Sequence, residues 1–205
     1  MGTQALTTTV DAASARALAV ARRELILGGQ KSGKSRRAEQ LAAAWLAQDA
    51  GHGALLVATA QAHDAEMRAR IERHQADRLA RVPALRCVEE PLDLAGAIAA
   101  HSTPRDLLVV DCLTLWLTNW LMPMSPPASP AQIAAEQDGL ISALQAAPGP
   151  VVVVSNEIGL GVIPLGGEVR GFVDALGLLN QRVAAACDRV CFVAAGLPML
   201  LKGAA

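Results

Sequence analysis

Eight residues near the start of the chain, Gly28, Gly29, Gln30, Lys31, Ser32, Gly33, Lys34 and Ser35, fit the pattern G-x-x-x-x-G-K-[S/T]. Each residue type has a chemical use at its place. Glycine lets the backbone curl until successive N–H groups point inward, where they can hold phosphate oxygens. Lys34 would reach the outer phosphates, and the Ser35 hydroxyl would ligate Mg²⁺. The pattern is short, so its context decides. It needs a strand before it and a helix after it, with the helix N-terminus under the anion. The apolar run "ELILGG" (24–29) precedes it, and "SRRAEQLAAAWLAQ" (35–48) follows with Ala38, Leu41, Ala42, Trp45 and Leu46 on one helical face.

Such a site also needs a carboxylate at a strand end, near the metal. Asp111, closing "LLVVD", has that place. An isolated Asp after a strand is more often a turn residue or a helix cap; beside a phosphate loop it becomes a candidate Mg²⁺ ligand. Thr59, Ala60 and Gln61, and the later Ser155–Glu157, also fall at strand ends. Together they mark the carboxyl edge of a sheet as the active face.

A second candidate chemistry lies in "DAEMRARIERHQADR" (64–78), which is mostly charge. At 100° per residue, and with Met67 at zero, Ile71 lies at about 40°, His74 at about −20° and Arg78 at about 20°. The spacing thus places His74 on the apolar face, where an imidazole could approach a nucleotide. A half-buried structural histidine and a simple phosphate-binding one are the alternatives from the residues alone.

The elements that must position these groups alternate. Strands are expected at 24–29, 54–60, 85–90, up to Asp111, at 150–157 and, as the last, at 189–196. Helices are expected at 35–48, 63–78, 93–101, 131–147 and 168–188. The strands are apolar throughout rather than alternating, which indicates a mainly parallel sheet buried on both faces. The expected fold is one α/β domain of the P-loop NTPase type over 23–205, with helices on both sheet faces. Residues 1–22, Thr/Ala-rich with their basic residues last, read as a poorly ordered leader in which a short helix could start at Ala12. A secretory signal has the opposite polarity. The stretches 122–130, rich in proline and serine, and 158–168, "IGLGVIPLGGE", are candidate mobile loops.

Composition narrows the classes. The 205 residues are 52% hydrophobic, enough for a sizeable core, and no apolar run is long enough to span a membrane. Lys+Arg 18 against Asp+Glu 19 lacks the basic surplus of a nucleic-acid binder. Aromatics at 2% leave little for base stacking. Cys87, Cys112, Cys187 and Cys191 form no C-x-x-C pair and read as buried, reduced thiols of a cytoplasmic protein. The apolar "LTLWLTNWL" (113–121) is either core or a self-association surface, and a homo-oligomer is the expectation.

The chain resembles the bifunctional adenosylcobinamide kinase/adenosylcobinamide-phosphate guanylyltransferases of cobalamin biosynthesis, from about Leu25 to Lys202. The matching blocks include "LILGGQKSGKSRRAEQLA", "VATAQAHDAEMRARIERHQADR", "LLVVDCLTLWLTN", "VVVVSNEIGLGVIP" and "AAGLPMLLK". The resemblance implies phosphate transfer from ATP or GTP to adenosylcobinamide, then GMP transfer from GTP to adenosylcobinamide phosphate through a GMP-histidine intermediate. The family segment R-I-x-x-H-x-x-x-R is "RIERHQADR" here, which places the nucleophile at His74 and its arginine at Arg78. Nucleotide contacts implied are Gly28–Ser35, Thr59, Ala60, Gln61, Gln75, Asp77, Arg78, Glu89 and Asp111. The chain departs from the pattern at Arg73 and Gln75, where some members carry histidine and lysine. It departs again at Val173, where an arginine is expected, and at the apolar turn 165–167. A nucleotide-dependent kinase or ATPase without a covalent step is the rival reading. A non-catalytic nucleotide-binding module is a weaker one, since Lys34, Ser35 and Asp111 are all present.

Overall fold

The structure is a computed structural model and describes residues 18–123, 128–162 and 164–204. Seven strands form one sheet in the order β3-β2-β4-β5-β1-β6-β7. They are β1 Arg23–Gly28, β2 Gly53–Ala58, β3 Leu85–Glu89, β4 Asp106–Asp111, β5 Val151–Val154, β6 Arg189–Ala194 and β7 Leu197–Lys202. The helices are α1 Lys34–Gln48, α2 Ala65–Arg81, α3 Leu94–His101, α4 Leu113–Leu121, α5 Pro130–Ala146 and α6 Gly167–Ala186. The pairs among β1–β6 are all parallel, and β7 alone runs antiparallel, beside β6.

Strand parity splits the core in two. Ile26, Leu56, Val109, Val152 and Val154 pack under Ala38, Leu41 and Ala42 of α1. Leu25, Leu55, Leu108, Val110 and Val153 face the other way, against Leu94, Trp116, Leu140, Leu176 and Val183 from α3, α4, α5 and α6. Both faces are covered, so the central strands must be apolar at every position. The helix 113–121 belongs to this core: Leu113, Trp116 and Leu117 are fully buried or nearly so, which removes it as a self-association surface.

Two expectations are corrected. The strand expected at 189–196 is not the last of the sheet: "LPMLLK" adds β7, and all six of its residues are exposed. It lacks the buried apolar continuity of the central strands because, among the described residues, no helix packs over it. Cys87 is exposed, whereas Cys112, Cys187 and Cys191 are buried. Cys87 sits on β3, an edge strand of which Leu85 is the sole buried residue. Burial pushes the Cys112 thiol up to about 11 and the Cys187 thiol to about 12, which keeps both protonated. Most of the expected leader, and part of the 122–130 loop, fall outside the described residues. Of the leader, Ala19 accepts a hydrogen bond from Arg189 and Val20 packs on the core. None of the helices among the described residues is long and apolar enough to cross a membrane.

Candidate active site

Sheet register sets the frame. Glu89 and Asp111 are each in register with Ala58, and Asp111 is also in register with Val154. Glu89 and Asp111 therefore close two strands at one level of the carboxyl edge, one strand apart. At about 4.8 Å per strand their backbones are separated by about 10 Å.

The phosphate loop rises from β1 beside this row. Its curl is visible in three positive φ angles: Gly28 at 153°, Lys31 at 55° and Gly33 at 107°. At Gly28 a side chain would also strike the Val193 carbonyl, 2.3 Å from an ideal Cβ. The loop is braced from the β6–β7 hairpin, where the Gly196 N–H donates to the Ser32 carbonyl at 2.8 Å. Helix α1 then begins without a side-chain cap, because its N-cap is Gly33. Its first N–H groups remain available to an anion.

Lys34 is buried, and its Nζ donates to the Gly29 carbonyl at 2.6 Å. Burial pulls its ammonium below the usual lysine range, the Asp111 carboxylate opposes that, and Arg70 adds to it. Thr59 reads differently from expectation. Its hydroxyl is buried and donates to the Cys112 carbonyl at 2.7 Å while accepting from the Cys112 N–H at 2.8 Å. It fixes the chain just past Asp111. Asn119 from α4 holds the Thr59 carbonyl at 2.8 Å.

A cavity of about 740 Å³ joins these parts. Gln30, Lys31, Ser32, Gly33, Lys34 and Ser35 line one side. Ala60, Glu89 and Asp111 line the sheet edge, and His74, Gln75, Asp77 and Arg78 come from α2. Gly28, Gly29, Thr59 and Gln61 are not among its lining residues; the first three support the site from behind. On α2, Met67, Ile71 and Arg78 are half-buried as the helical spacing requires, but His74 is exposed. The reason is that α2 buries no residue at all and stands over the cavity rather than in the core. Asp77 pairs with Arg81 at 3.3 Å, Arg81 reaches Glu39 of α1, and Arg78 donates to the Cys87 sulfur at 3.4 Å.

Several wall residues had no role in the sequence reading, among them Arg36, Arg70 and Arg81. The wheel that brings His74 inward puts Arg70 at about −60°, so its signal was present in the spacing. Asn156, another wall residue, follows β5, the strand inserted between the phosphate-loop strand β1 and the Asp111 strand β4. Only the sheet order reveals that.

Residues 24–201 match the family model described as cobinamide kinase / cobinamide phosphate guanyltransferase. The chain belongs to this family. It is 48% identical over 181 residues to the bifunctional adenosylcobalamin biosynthesis protein CobP of Pseudomonas aeruginosa, covering 88% of this chain and 98% of that protein. It is 37% identical over 187 residues to the bifunctional protein CobU of Salmonella typhimurium, covering 87% of this chain and 98% of that one. Among solved structures, the flagellar accessory protein FlaH from Methanocaldococcus jannaschii superposes with a TM-score of 0.52 at 12% identity, covering 95% of this chain and 85% of that one. That likeness concerns the fold alone.

A second cavity, of about 630 Å³, is lined by Ile158, Val162 and Pro164 on one side and by residues of α6 on the other. Val173 and Asp174, at one of the departures from the family pattern, are among its walls.

Proposed function

We propose that this chain phosphorylates adenosylcobinamide with ATP or GTP, and then carries GMP from GTP to the resulting phosphate through a covalent adduct on His74. The observation that carries this reading is that His74 faces the same cavity as Lys34, Ser35 and Asp111. A triphosphate held on the loop would therefore lie within reach of two different attacks. In the first, the substrate hydroxyl takes the γ-phosphoryl group. In the second, the imidazole attacks the α-phosphorus and pyrophosphate leaves; a phosphate oxygen of the corrinoid then displaces the imidazole. The second attack requires an unprotonated ring.

The donor set suits Mg²⁺. Ser35 and Asp111 offer one hydroxyl and one carboxylate, and no group of three or more His, Cys, Asp or Glu among the described residues could hold a metal alone. Magnesium commonly takes one or two protein oxygens and completes its shell with phosphate and water. Bound there, it would neutralise phosphate charge. Lys34 adds a fixed cation beside it.

Self-association belongs to the same reading. The uncovered apolar residues of β7, Leu197, Met199 and Leu201, suit contact with a second copy.

The test uses α-labelled GTP with Mg²⁺, followed by denaturation. Wild type should retain label in an acid-labile, base-stable bond. His74→Ala should retain none and make no adenosylcobinamide-GDP, yet keep phosphate transfer within about tenfold of wild type, because the phosphate loop is intact. Label on the His74→Ala protein would move the nucleophile elsewhere, with His63 the next candidate. Equal loss of both activities would make His74 structural.

A further inference from the structure

Arg70 precedes His74 by four residues on α2, so the two side chains leave the same helical face. Both line the nucleotide cavity. With the Gln30 amide turned so that its oxygen meets the guanidinium, Arg70 donates to it from Nη2 at 2.7 Å and from Nη1 at 3.3 Å. Helix α2 thus touches the phosphate loop itself, and does so through a cation. The partner is a neutral amide, which holds the guanidinium without balancing its charge. Arg70 is also close enough to Lys34 to disfavour the protonated ammonium there. Two cations are held towards one loop, and an anion placed between them would relieve their repulsion.

We infer that Arg70 is a catalytic residue of the guanylylation step, leaving Gln30 for the β- and γ-phosphate oxygens of bound GTP and stabilising the pyrophosphate as it departs. This rests on the reading of His74 as nucleophile. In the step, an imidazole nitrogen bonds to the α-phosphorus. The bond from that phosphorus to the oxygen bridging it to the β-phosphorus breaks, and its electron pair leaves on pyrophosphate. The other ring nitrogen gives its proton to solvent. Charge therefore grows on the leaving group as the new bond forms, and a guanidinium fork matches phosphate oxygens in pairs. Carrying both groups on one helix has a consequence: nucleophile and counter-charge arrive together, so attack is coupled to stabilisation of what leaves.

The experiment compares wild type, Arg70→Ala and Arg70→Lys in two measurements. The first is the rate of labelling by α-labelled GTP. The second is affinity for a GTP analogue with a methylene between the α- and β-phosphorus, set against affinity for GMP. Arg70→Ala should label about 10²–10³-fold more slowly, as when other preorganised donors to a developing charge are removed, and Arg70→Lys should recover part of that. Arg70→Ala should bind the analogue about tenfold more weakly or worse, the loss expected of a charged hydrogen bond. Its GMP affinity should stay within about twofold, since GMP lacks the outer phosphates. Labelling by Arg70→Ala at the wild-type rate overturns the inference. Equal weakening of analogue and GMP also overturns it, because Arg70 would then only hold α2 in place. Absence of label on wild type removes the covalent step itself, and this role for Arg70 with it.

Discussion

At the scale of single residues, Lys34 is the group whose chemistry the fold alters most plainly. A lysine pulled down by burial has lost part of its proton in an alkaline window below the ordinary lysine value. A triphosphate against the ammonium favours the charged form and raises the value again. Binding of GTP should therefore take up protons in that window, and affinity should fall as pH rises through the depressed value. Titration calorimetry in two buffers of different ionisation heat, at one alkaline pH, checks this; buffer-independent heats would contradict it. The identity of Lys34 was legible in the sequence because the loop pattern is local, and Asp111 because a strand end is. Thr59 was less so. Its position at a strand end was right, but its hydroxyl turns to the Cys112 backbone, a partner 53 residues away that local spacing does not show. Residues that support a site through distant backbone contacts leave no periodic mark.

Among the elements, α2 is the exception. Other helices are held by buried apolar faces, as α1 is by Leu41 and α6 by Leu176, Leu179 and Val183, whereas α2 buries none of its residues. Its ends are secured by polar contacts: Asp64 caps Met67 at 2.7 Å, and Arg81 reaches buried Glu39. Local stability follows buried apolar contact, so α2 should open at much lower free energy than α6. Hydrogen exchange should find the 65–81 amides exchanging faster than those of 176–183, and slowed by the non-cleavable GTP analogue. Protection of α2 equal to that of α6, with or without nucleotide, would show that the helix is anchored by something other than these contacts. Helical spacing made its existence and its inward face legible, although the helix spans Ala65–Arg81 rather than 63–78. It did not show that this face meets a cavity, because Met67 and Ile71, one turn apart, look the same whether a core or a ligand covers them. The strand β7 was missed for a related reason: "LPMLLK" has a proline and no alternation, and its pairing depends on the β6–β7 turn at Ala195 and Gly196, both at positive φ.

For the whole molecule, the doubly covered parallel sheet accounts for the core and for the placement of the site, but it leaves apolar surface over at one edge. Leu197, Met199 and Leu201 are 72%, 55% and 57% exposed. An uncovered edge strand is ordinarily shielded by charge, proline or a partner. Here Pro198 and Lys202 supply some protection: the Lys202 ammonium is drawn back onto the Ala184 and Ala185 carbonyls at 2.9 and 3.1 Å. The remaining leucines and Met199 have no such device, and apolar residues clustered on one exposed strand are a mark of association. A second copy is the occupant expected. Light scattering after size exclusion should give a mass at least twice the 21.3 kDa of one chain. Met199→Glu, which places a charge in the middle of the strand without touching the Gly196–Ser32 contact that braces the phosphate loop, should lower that mass to the single-chain value. A wild-type chain already running as a monomer at micromolar concentration would leave β7 as exposed surface and nothing more. A Met199→Glu protein that keeps the larger mass would move the interface to the other uncovered apolar region, around Leu160, Val162 and Leu165 beside the second cavity.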